Sequence, residues 1–289
     1  MALKLARKDK LHQIEAICLL NLGAIATHQS CFDRAREYYQ QALELYRQIG
    51  DHRGEGSTLN NLGDTARTEG DYTAARDYYG QGLLISRELG ERWTESVSLV
   101  NLSLVAHNMR DDGTAIQFGK QSQKLSREIN YRAMDGYAFT ALGHAHLGLG
   151  ETPRAVEFYN QAISLWRKLG AQHLVMESLA RLARGYQALG ESRLATKQVD
   201  EIIAYLAENS LDGTEEPFLI YLTCDQILQT EQDPRSQEIL MDAYRHLHAK
   251  ANEIGNPRTR QLFLENVADH REINQIVMAA KSRPHNSPD

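Results

Sequence analysis

The sequence predicts an all-α protein, a right-handed α-α superhelix of stacked helix pairs with a helical cap at its C-terminal end. Three observations carry this prediction: a repeat with a period of 40 residues, a helical spacing of apolar residues inside each repeat, and a scarcity of proline. Only 6 prolines occur in 289 residues. This suits long helices, because proline inside a helix costs about 3 kcal/mol.

Four columns of residues recur in phase without an insertion, three of them through five repeats and the turn column through four. They are a leucine column (Leu19, Leu59, Leu99, Phe139, Leu179), a small-residue column (Gly23, Gly63, Ser103, Gly143, Ala183), an alanine column (Ala35, Ala75, Ala115, Ala155, Ala195) and a turn column (Gly50, Gly90, Asn130, Gly170). Such self-similarity is typical of architectures in which neighbouring units bury a continuous core between them.

Each repeat is predicted to contain two helices. In the second repeat, residues 56–68 carry Leu59, Leu62 and Ala66 on one helical face. A second helix is predicted over residues 72–89, and Gly90 suits the left-handed turn that follows a helix. Because glycine inside a helix costs about 1 kcal/mol relative to alanine, its recurrence in the small-residue column indicates close contact between paired helices.

The pattern divides the chain into five segments. These are a partial helix of a truncated preceding repeat (residues 1–10), five repeats (11–210), a degenerate sixth helix pair (211–256), C-terminal capping helices (257–281) and a disordered tail (282–289). The first segment begins in the middle of a repeat. We therefore expect either a fragment of a longer protein or a bare half-repeat that serves as the cap, and we favour the fragment.

Composition excludes several classes of protein. The formal net charge of −6 argues against a nucleic-acid binder, whose affinity rests on Lys and Arg contacts to phosphates. No apolar stretch approaches the 18 residues of a membrane span, and the charged N-terminus lacks a secretory signal. Cys18, Cys31 and Cys224 form no metal-ligand spacing, so a cytoplasmic protein without disulfides is expected.

Nothing in the sequence indicates an enzyme, a metal site or a cofactor. The pairs His144/His146 and His246/His248 are two residues apart, and such residues point to different faces of a helix. No phosphate-binding loop or zinc-protease motif is present in the sequence.

A ladder of arginines recurs near the end of each second helix. Its predicted pairs with acids eight residues on are Arg47–Glu55, Arg87–Glu95, Arg127–Asp135 and Arg7–Glu15. We favour inter-repeat salt bridges, and the alternative is a basic stripe for an acidic ligand. Val175 stands where an acid would follow Arg167, so Arg167 is expected to be the least constrained member.

The columns resemble the tetratricopeptide repeat, whose usual unit is 34 residues. The matching positions are Leu22, Gly23, Ala35, Tyr39 and Ala42 in the first repeat and Leu62, Gly63, Ala75, Tyr79 and Gly82 in the second. The 40-residue length is similar to the repeats of kinesin light chains, of spindle-orientation adaptors and of many bacterial signalling regulators.

The resemblance implies a peptide-binding groove lined by the first helix of each repeat. The expected lining residues are Asn21, Asn60, Asn61, Asp64, Arg67, Val97, Val100, Asn101, Leu104, His107, Asn108, Tyr137, Thr140, His144, Arg181 and Arg184. In the family, the asparagine of Asn-Leu-Gly can hold the backbone of an extended peptide; Asn21, Asn61 and Asn101 match it, whereas Ala141 and Arg181 depart from it. We expect a peptide with an apolar centre and an acidic end near Arg181 and Arg184, or else a groove that is unused or contacts the parent protein.

The resulting prediction is a non-catalytic protein–protein interaction module that binds a peptide or partner segment in its concave groove. The alternative is a sensor or autoinhibitory segment of a larger bacterial signalling protein, such as an ATPase-linked regulator or a cyclase, with another domain of the same chain as its partner. Neither hypothesis involves a cofactor, nucleic acid or membrane. The sequence leaves the oligomeric state open.

Overall fold

The computed structural model of the chain describes residue 6 and residues 11–29, 31–211, 214, 216–255, 257–265 and 267–281. Every regular element in this part of the chain is a helix. Consecutive helices pack against one another from residue 12 to residue 148 and again from residue 172 to residue 281. The predicted all-α fold of helix pairs is therefore confirmed.

The helices divide between two compact units, one ending at Phe158 and the other beginning at Tyr159. Unit 1 holds α1 (His12–His28), α2 (Phe32–Ile49), α3 (His52–Thr68), α4 (Tyr72–Glu88), α5 (Arg92–Asn108), α6 (Asp112–Glu128), α7 (Arg132–Gly148) and the start of α8 (Thr152–Leu169). Unit 2 holds the rest of α8, then α9 (Gln172–Ala188), α10 (Ser192–Leu206), α11 (Pro217–Thr230), α12 (Arg235–Glu253), α13 (Pro257–Glu265) and α14 (Ala268–Lys281).

Three helices of unit 1 have an aspartate at the N-cap position, directly before their first residue. The side chains of Asp51, Asp71 and Asp111 each accept a hydrogen bond from the backbone N–H three residues on, at 2.9 to 3.1 Å. Each such cap satisfies an N–H group that the helix itself leaves unpaired and contributes about 1 kcal/mol. The helix that was expected over residues 56–68 begins earlier, at His52, because Asp51 provides the cap.

The turn column ends the second helix of the repeats, as predicted. Gly50 and Gly90 adopt φ angles of 70° and 67°, in the left-handed region. Asn130 replaces glycine in this column and still adopts a φ of 55°, which asparagine tolerates better than most residues. A residue in the left-handed conformation thus ends each of these helix pairs before the next pair begins.

The leucine and alanine columns form the cores of both units. Leu59 and Leu99 in unit 1 and Leu179 in unit 2 are at most 1% exposed. The alanines of the second column are equally buried, since only a small side chain fits where paired helices touch.

The C-terminal part of unit 2 is helical, as the sequence predicted. α11 and α12 lie in the segment predicted as a sixth helix pair (211–256), and the helices α13 and α14 follow in the segment predicted as a cap (257–281). Residues 282–289, predicted to be disordered, lie outside the described residues, as does nearly all of the partial repeat at residues 1–10. In the part of the chain that the structure describes, no helix is long and apolar enough to cross a membrane.

Candidate functional site

The first helices of the repeats are neighbours in unit 1. α3 contacts both α1 and α5, and α5 contacts α7. These helices carry Asn21, Asn61 and Asn101 at corresponding positions, 40 residues apart. The corresponding position of α7 is Ala141. We call the side of α1, α3, α5 and α7 on which these four positions lie the first-helix face.

Glycine and tyrosine set how closely the helices of a pair approach. A Cβ atom added to Gly63 would lie 2.5 Å from the ring of Tyr79, and Tyr79 is completely buried. Gly23 meets the ring of Tyr39 in the same way. The small-residue column therefore accommodates an aromatic ring, which the sequence analysis had explained only as close helix contact.

The third repeat exchanges the large and the small residue. Gly119 stands where the other rings lie, and a Cβ added to it would be 2.9 Å from Leu142. Ser103 replaces the glycine, and its hydroxyl donates a hydrogen bond to the backbone oxygen of Ala115 at 2.7 Å. Leu142 and Ser103 thus fill the space that a tyrosine ring occupies in the first two repeats.

The asparagine column has the character expected of a binding surface. Asn21 is exposed, and Asn61 and Asn101 are partly exposed. Their side-chain amides make no hydrogen bond to any other residue that the structure describes. An amide both donates and accepts, so each one is available to a backbone N–H and C=O of another chain.

Three other predicted lining residues are engaged within unit 1. Asn60 is 8% exposed, and its Oδ1 accepts a hydrogen bond from the hydroxyl of Ser98 at 3.1 Å, linking α3 to α5. Asp64 accepts a hydrogen bond from the hydroxyl of Tyr79 at 2.5 Å. Burial raises the pKa of Tyr79 well above its ordinary value and Asp64 adds to this, while Arg67 opposes it, so the hydroxyl remains a donor.

The predicted apolar centre is largely packed between α5 and α7. Val100 is 4% exposed and contacts Met134 and Ala138. The partly buried residues around this cluster are Val97, Leu104 and Tyr137. Within this cluster and its surroundings, Val97, Leu104 and Tyr137 are the residues that keep part of their apolar surface exposed.

The histidines of the predicted groove interact with acids and with each other. His107 Nδ1 donates to Asp112 Oδ1 at 2.6 Å, and the ring of His107 lies 5.8 Å from that of His144. His144 is buried, Asn108 is exposed, and the hydroxyl of Thr140 donates to the backbone of its own helix. No cluster of three or more potential metal ligands occurs among the described residues.

The two predicted arginines of unit 2 lie on α9 in a charged environment. Arg181 forms an ion pair with Glu216, just before α11. Arg184 is partly buried; its Nε is shielded from solvent and makes no hydrogen bond within the described residues. Burial lowers the pKa of Arg184 and Arg181 lowers it further, while the carboxylates of Asp269, Glu272 and Glu216 oppose this change.

The arginine ladder is mainly structural. Arg47 pairs with Glu55 at 2.7 Å and Arg87 with Glu95 at 2.9 Å, as predicted. Asp135, in contrast, accepts a hydrogen bond from Ser126.

The expectation that Arg167 is the least constrained arginine of the ladder is wrong. It pairs with Glu201 at 2.5 Å, 34 residues on. Arg47 and Arg87 contact glutamines with the same spacing. The partner of Arg167 thus stands in the second helix of the next repeat, whereas the prediction considered only the first helix of that repeat.

Sequence reasoning also missed the acids that face Arg184. Asp269 and Glu272 lie in the first part of α14, and Glu272 Oε1 accepts a hydrogen bond from Gln226 at 3.0 Å. Two acids three residues apart at the start of a helix are a detectable signal, but the sequence does not indicate where that helix packs.

Two family models of the tetratricopeptide repeat match the sequence, over residues 15–88 and 137–167. The chain therefore contains tetratricopeptide repeats. Among curated proteins, none matches the sequence significantly.

Solved structures resemble the fold of much of the chain. A Rap protein complexed with competence and sporulation factor is 16% identical, with a TM-score of 0.65 over 93% of this chain and 77% of that chain. A putative kinesin light chain from Podosopora anserina with nearly identical TPR-like repeats is 17% identical, with a TM-score of 0.51 over 65% of this chain and 93% of that chain.

A signal transduction ATPase from Pyrococcus horikoshii with a tetratricopeptide repeat sensor is 14% identical, with a TM-score of 0.61 over 87% of this chain and 39% of that chain. These likenesses concern the fold alone. They confirm the resemblance to kinesin light chain repeats and to the repeat regions of signalling ATPases.

Proposed function

We propose that this chain is a non-catalytic protein–protein interaction module that holds an extended segment of a partner on the first-helix face of unit 1. The carrying observation is the column of Asn21, Asn61 and Asn101, whose amides are accessible and have no partner among the described residues. A tetratricopeptide repeat fold is in general an interaction scaffold. The Rap protein that resembles this chain is itself complexed with a factor.

The surroundings of the column define the segment that fits. Val97, Leu104 and Tyr137 are partly buried and form an apolar margin beside Asn101. Extended backbone supplies an N–H and a C=O to each amide, and apolar side chains of the segment would cover this margin. The ligand proposed for unit 1 is therefore an extended segment with apolar residues near its centre.

A peptide display experiment tests this function. Random peptides are selected on the intact chain, and the affinities of the selected peptides are measured for the double variant Asn61→Ala/Asn101→Ala. The double variant loses four hydrogen bonds that contribute about 0.5–1 kcal/mol each, so we expect the affinity to fall about 30- to 1000-fold. Asn252→Ala, an exposed asparagine on α12, is the matched control and should bind as the wild type does. Equal binding by the double variant rejects the proposal.

A second candidate function is a sensor segment of a larger signalling protein. The observation in its favour is the signal transduction ATPase, whose repeat region is described as a sensor and of which this chain matches 39%. The size of the natural gene product in its own cells tests it. A polypeptide much larger than 32.7 kDa supports the sensor, and one of this mass supports a separate adaptor.

A further inference from the structure

One side of α1 carries apolar side chains that the described part of the chain leaves uncovered. Ile14 is 48% exposed and Ile25 is 53% exposed, and Leu11, directly before the helix, is also exposed. Cys18 and Leu22 lie between them and are partly exposed. Successive members of this set are three or four residues apart, so all five point to one side of the helix. We call this side the α1 apolar face.

The same positions are buried in the next three repeats of unit 1. The residues that correspond to Ile25 are at most 1% exposed, and those that correspond to Cys18 are completely buried. The former are Thr65, Val105 and Ala145, and the latter are Thr58, Ser98 and Ala138. The exposure of the α1 apolar face is therefore a departure from the pattern of the repeats that follow it.

The helix pair of the preceding repeat covers these positions. Ala138 lies in one core cluster with Val100 of α5, the first helix of the preceding repeat. Val105 lies in one core cluster with Tyr79 of α4, the second helix of the preceding repeat. This side of a first helix is thus the inter-repeat interface of the array, and its partner is another helix with apolar residues at the contact.

Charge favours a second copy of the chain as the partner of the α1 apolar face. Residues 12–28 include one acid, Glu15, and no lysine or arginine. Each chain has a formal net charge of −6, so two chains approach most readily through a face that carries little charge. Apolar residues three and four apart interdigitate with the same spacing on another helix, and a two-fold axis lets one face serve both chains.

We propose that two copies of this chain associate through their α1 apolar faces. Each α1 then covers the other at the positions that a preceding repeat covers in α3, α5 and α7, and Cys18 lies near the centre of the contact. Asn21 borders the face, whereas Asn61 and Asn101 lie on α3 and α5. The association therefore leaves two amides of the asparagine column accessible to the segment proposed for unit 1.

Sedimentation equilibrium of the full chain between about 1 and 100 μM tests the association. The wild type should change from 32.7 kDa to twice this mass as its concentration rises. In Ile14→Lys/Ile25→Lys the dissociation constant should rise about 100-fold, because the ammonium groups would lose their water at the contact. The matched control is Leu84→Lys, which replaces a 61% exposed leucine of α4 and should associate as the wild type does. Circular dichroism shows whether each variant is folded.

Alkylation of Cys18 provides a second readout, which needs no substitution. Its rate, followed by peptide mass spectrometry, should fall about tenfold from the lowest to the highest protein concentration. Cys31, which directly precedes α2 and is also partly exposed, is the internal control and should react at a constant rate.

Two results would overturn the proposal. One is a wild type of 32.7 kDa at every concentration with a constant alkylation rate at Cys18, which would indicate that residues outside the described part of the chain cover the face. The other is equal association of the wild type and Ile14→Lys/Ile25→Lys. Asn61→Ala/Asn101→Ala should associate as the wild type does, so this proposal and the function proposed for unit 1 fail independently.

Discussion

At the scale of single residues, the spacing within a helix pair depends on a ring that faces a glycine. Tyr79 is fully buried against Gly63, so the ring cannot move aside without opening the core. Gly80 follows Tyr79 in α4, and a Cβ atom added to Gly80 would lie in open space, so this glycine serves as a matched comparison. The two glycines separate the effect of crowding from the intrinsic cost of glycine in a helix.

We predict opposite effects of alanine at these two glycines. Gly63→Ala should lower the free energy of unfolding by about 1–3 kcal/mol, because the new methyl group overpacks the core. Gly80→Ala should raise it by about 0.5–1 kcal/mol, because alanine is the better helix former. Urea denaturation followed by circular dichroism measures both. Stabilisation by Gly63→Ala would contradict the packing described here.

Residue periodicity allowed much of the fold and part of the site to be predicted. The glycine column and Asn61 were found because the same residue returns every 40 positions. Asn60 and Asp64 were also predicted to face a ligand, yet they bond to Ser98 and Tyr79. Adjacent residues of a helix, such as Asn60 and Asn61, point in different directions, so one faces a neighbouring helix and the other faces solvent. The sequence does not show which residues of other helices lie in each direction.

At the scale of helices, α14 shows where sequence patterns are insufficient. A capping helix was predicted within residues 257–281, but its position against α11 was not. The repeat register fades after residue 210, so no column indicates what α14 contacts. The effect of the charges of Asp269 and Glu272 on Arg184 therefore emerged only from the structure.

The docking of α14 should weaken in mild acid. Burial lowers the pKa of His270 from 6.5 to about 4, with Lys250 adding to the effect while the hydrogen bond to Phe263 opposes it. The folded state thus favours the neutral ring, and its contribution is full above pH 6.5 and is lost as the pH falls towards 4. Between pH 7 and pH 5 this amounts to about 2 kcal/mol.

The variant His270→Phe isolates this contribution. Its stability difference from the wild type, measured by urea denaturation at pH 7 and pH 5, should shift by about 2 kcal/mol in favour of the variant at the lower pH. Burial raises the pKa values of Asp225 and Asp269, so both act in the opposite direction, but they are present in both proteins and cancel in the comparison. A difference that does not change with pH would rule out a buried neutral His270.

At the scale of the whole molecule, two units built from the same helix pair differ in what their first helices offer. The first-helix face of unit 1 presents asparagine amides that have no partner among the residues the structure describes, whereas in unit 2 Arg181 is paired with Glu216 and the charges of Asp269 and Glu272 act on Arg184. Both units are thus built from the same kind of helix pair, but the position that holds Asn61 and Asn101 in unit 1 holds Arg181 in unit 2.

The most direct test of the central claim is a nuclear magnetic resonance titration of the side-chain amide groups. The NH₂ resonances of Asn61 and Asn101 are assigned with the two single alanine variants, and a display-selected peptide is then added to the intact protein. The account predicts that both resonances shift as the peptide saturates, while that of Asn252 stays in place. Saturating peptide with no change at Asn61 and Asn101 would contradict it.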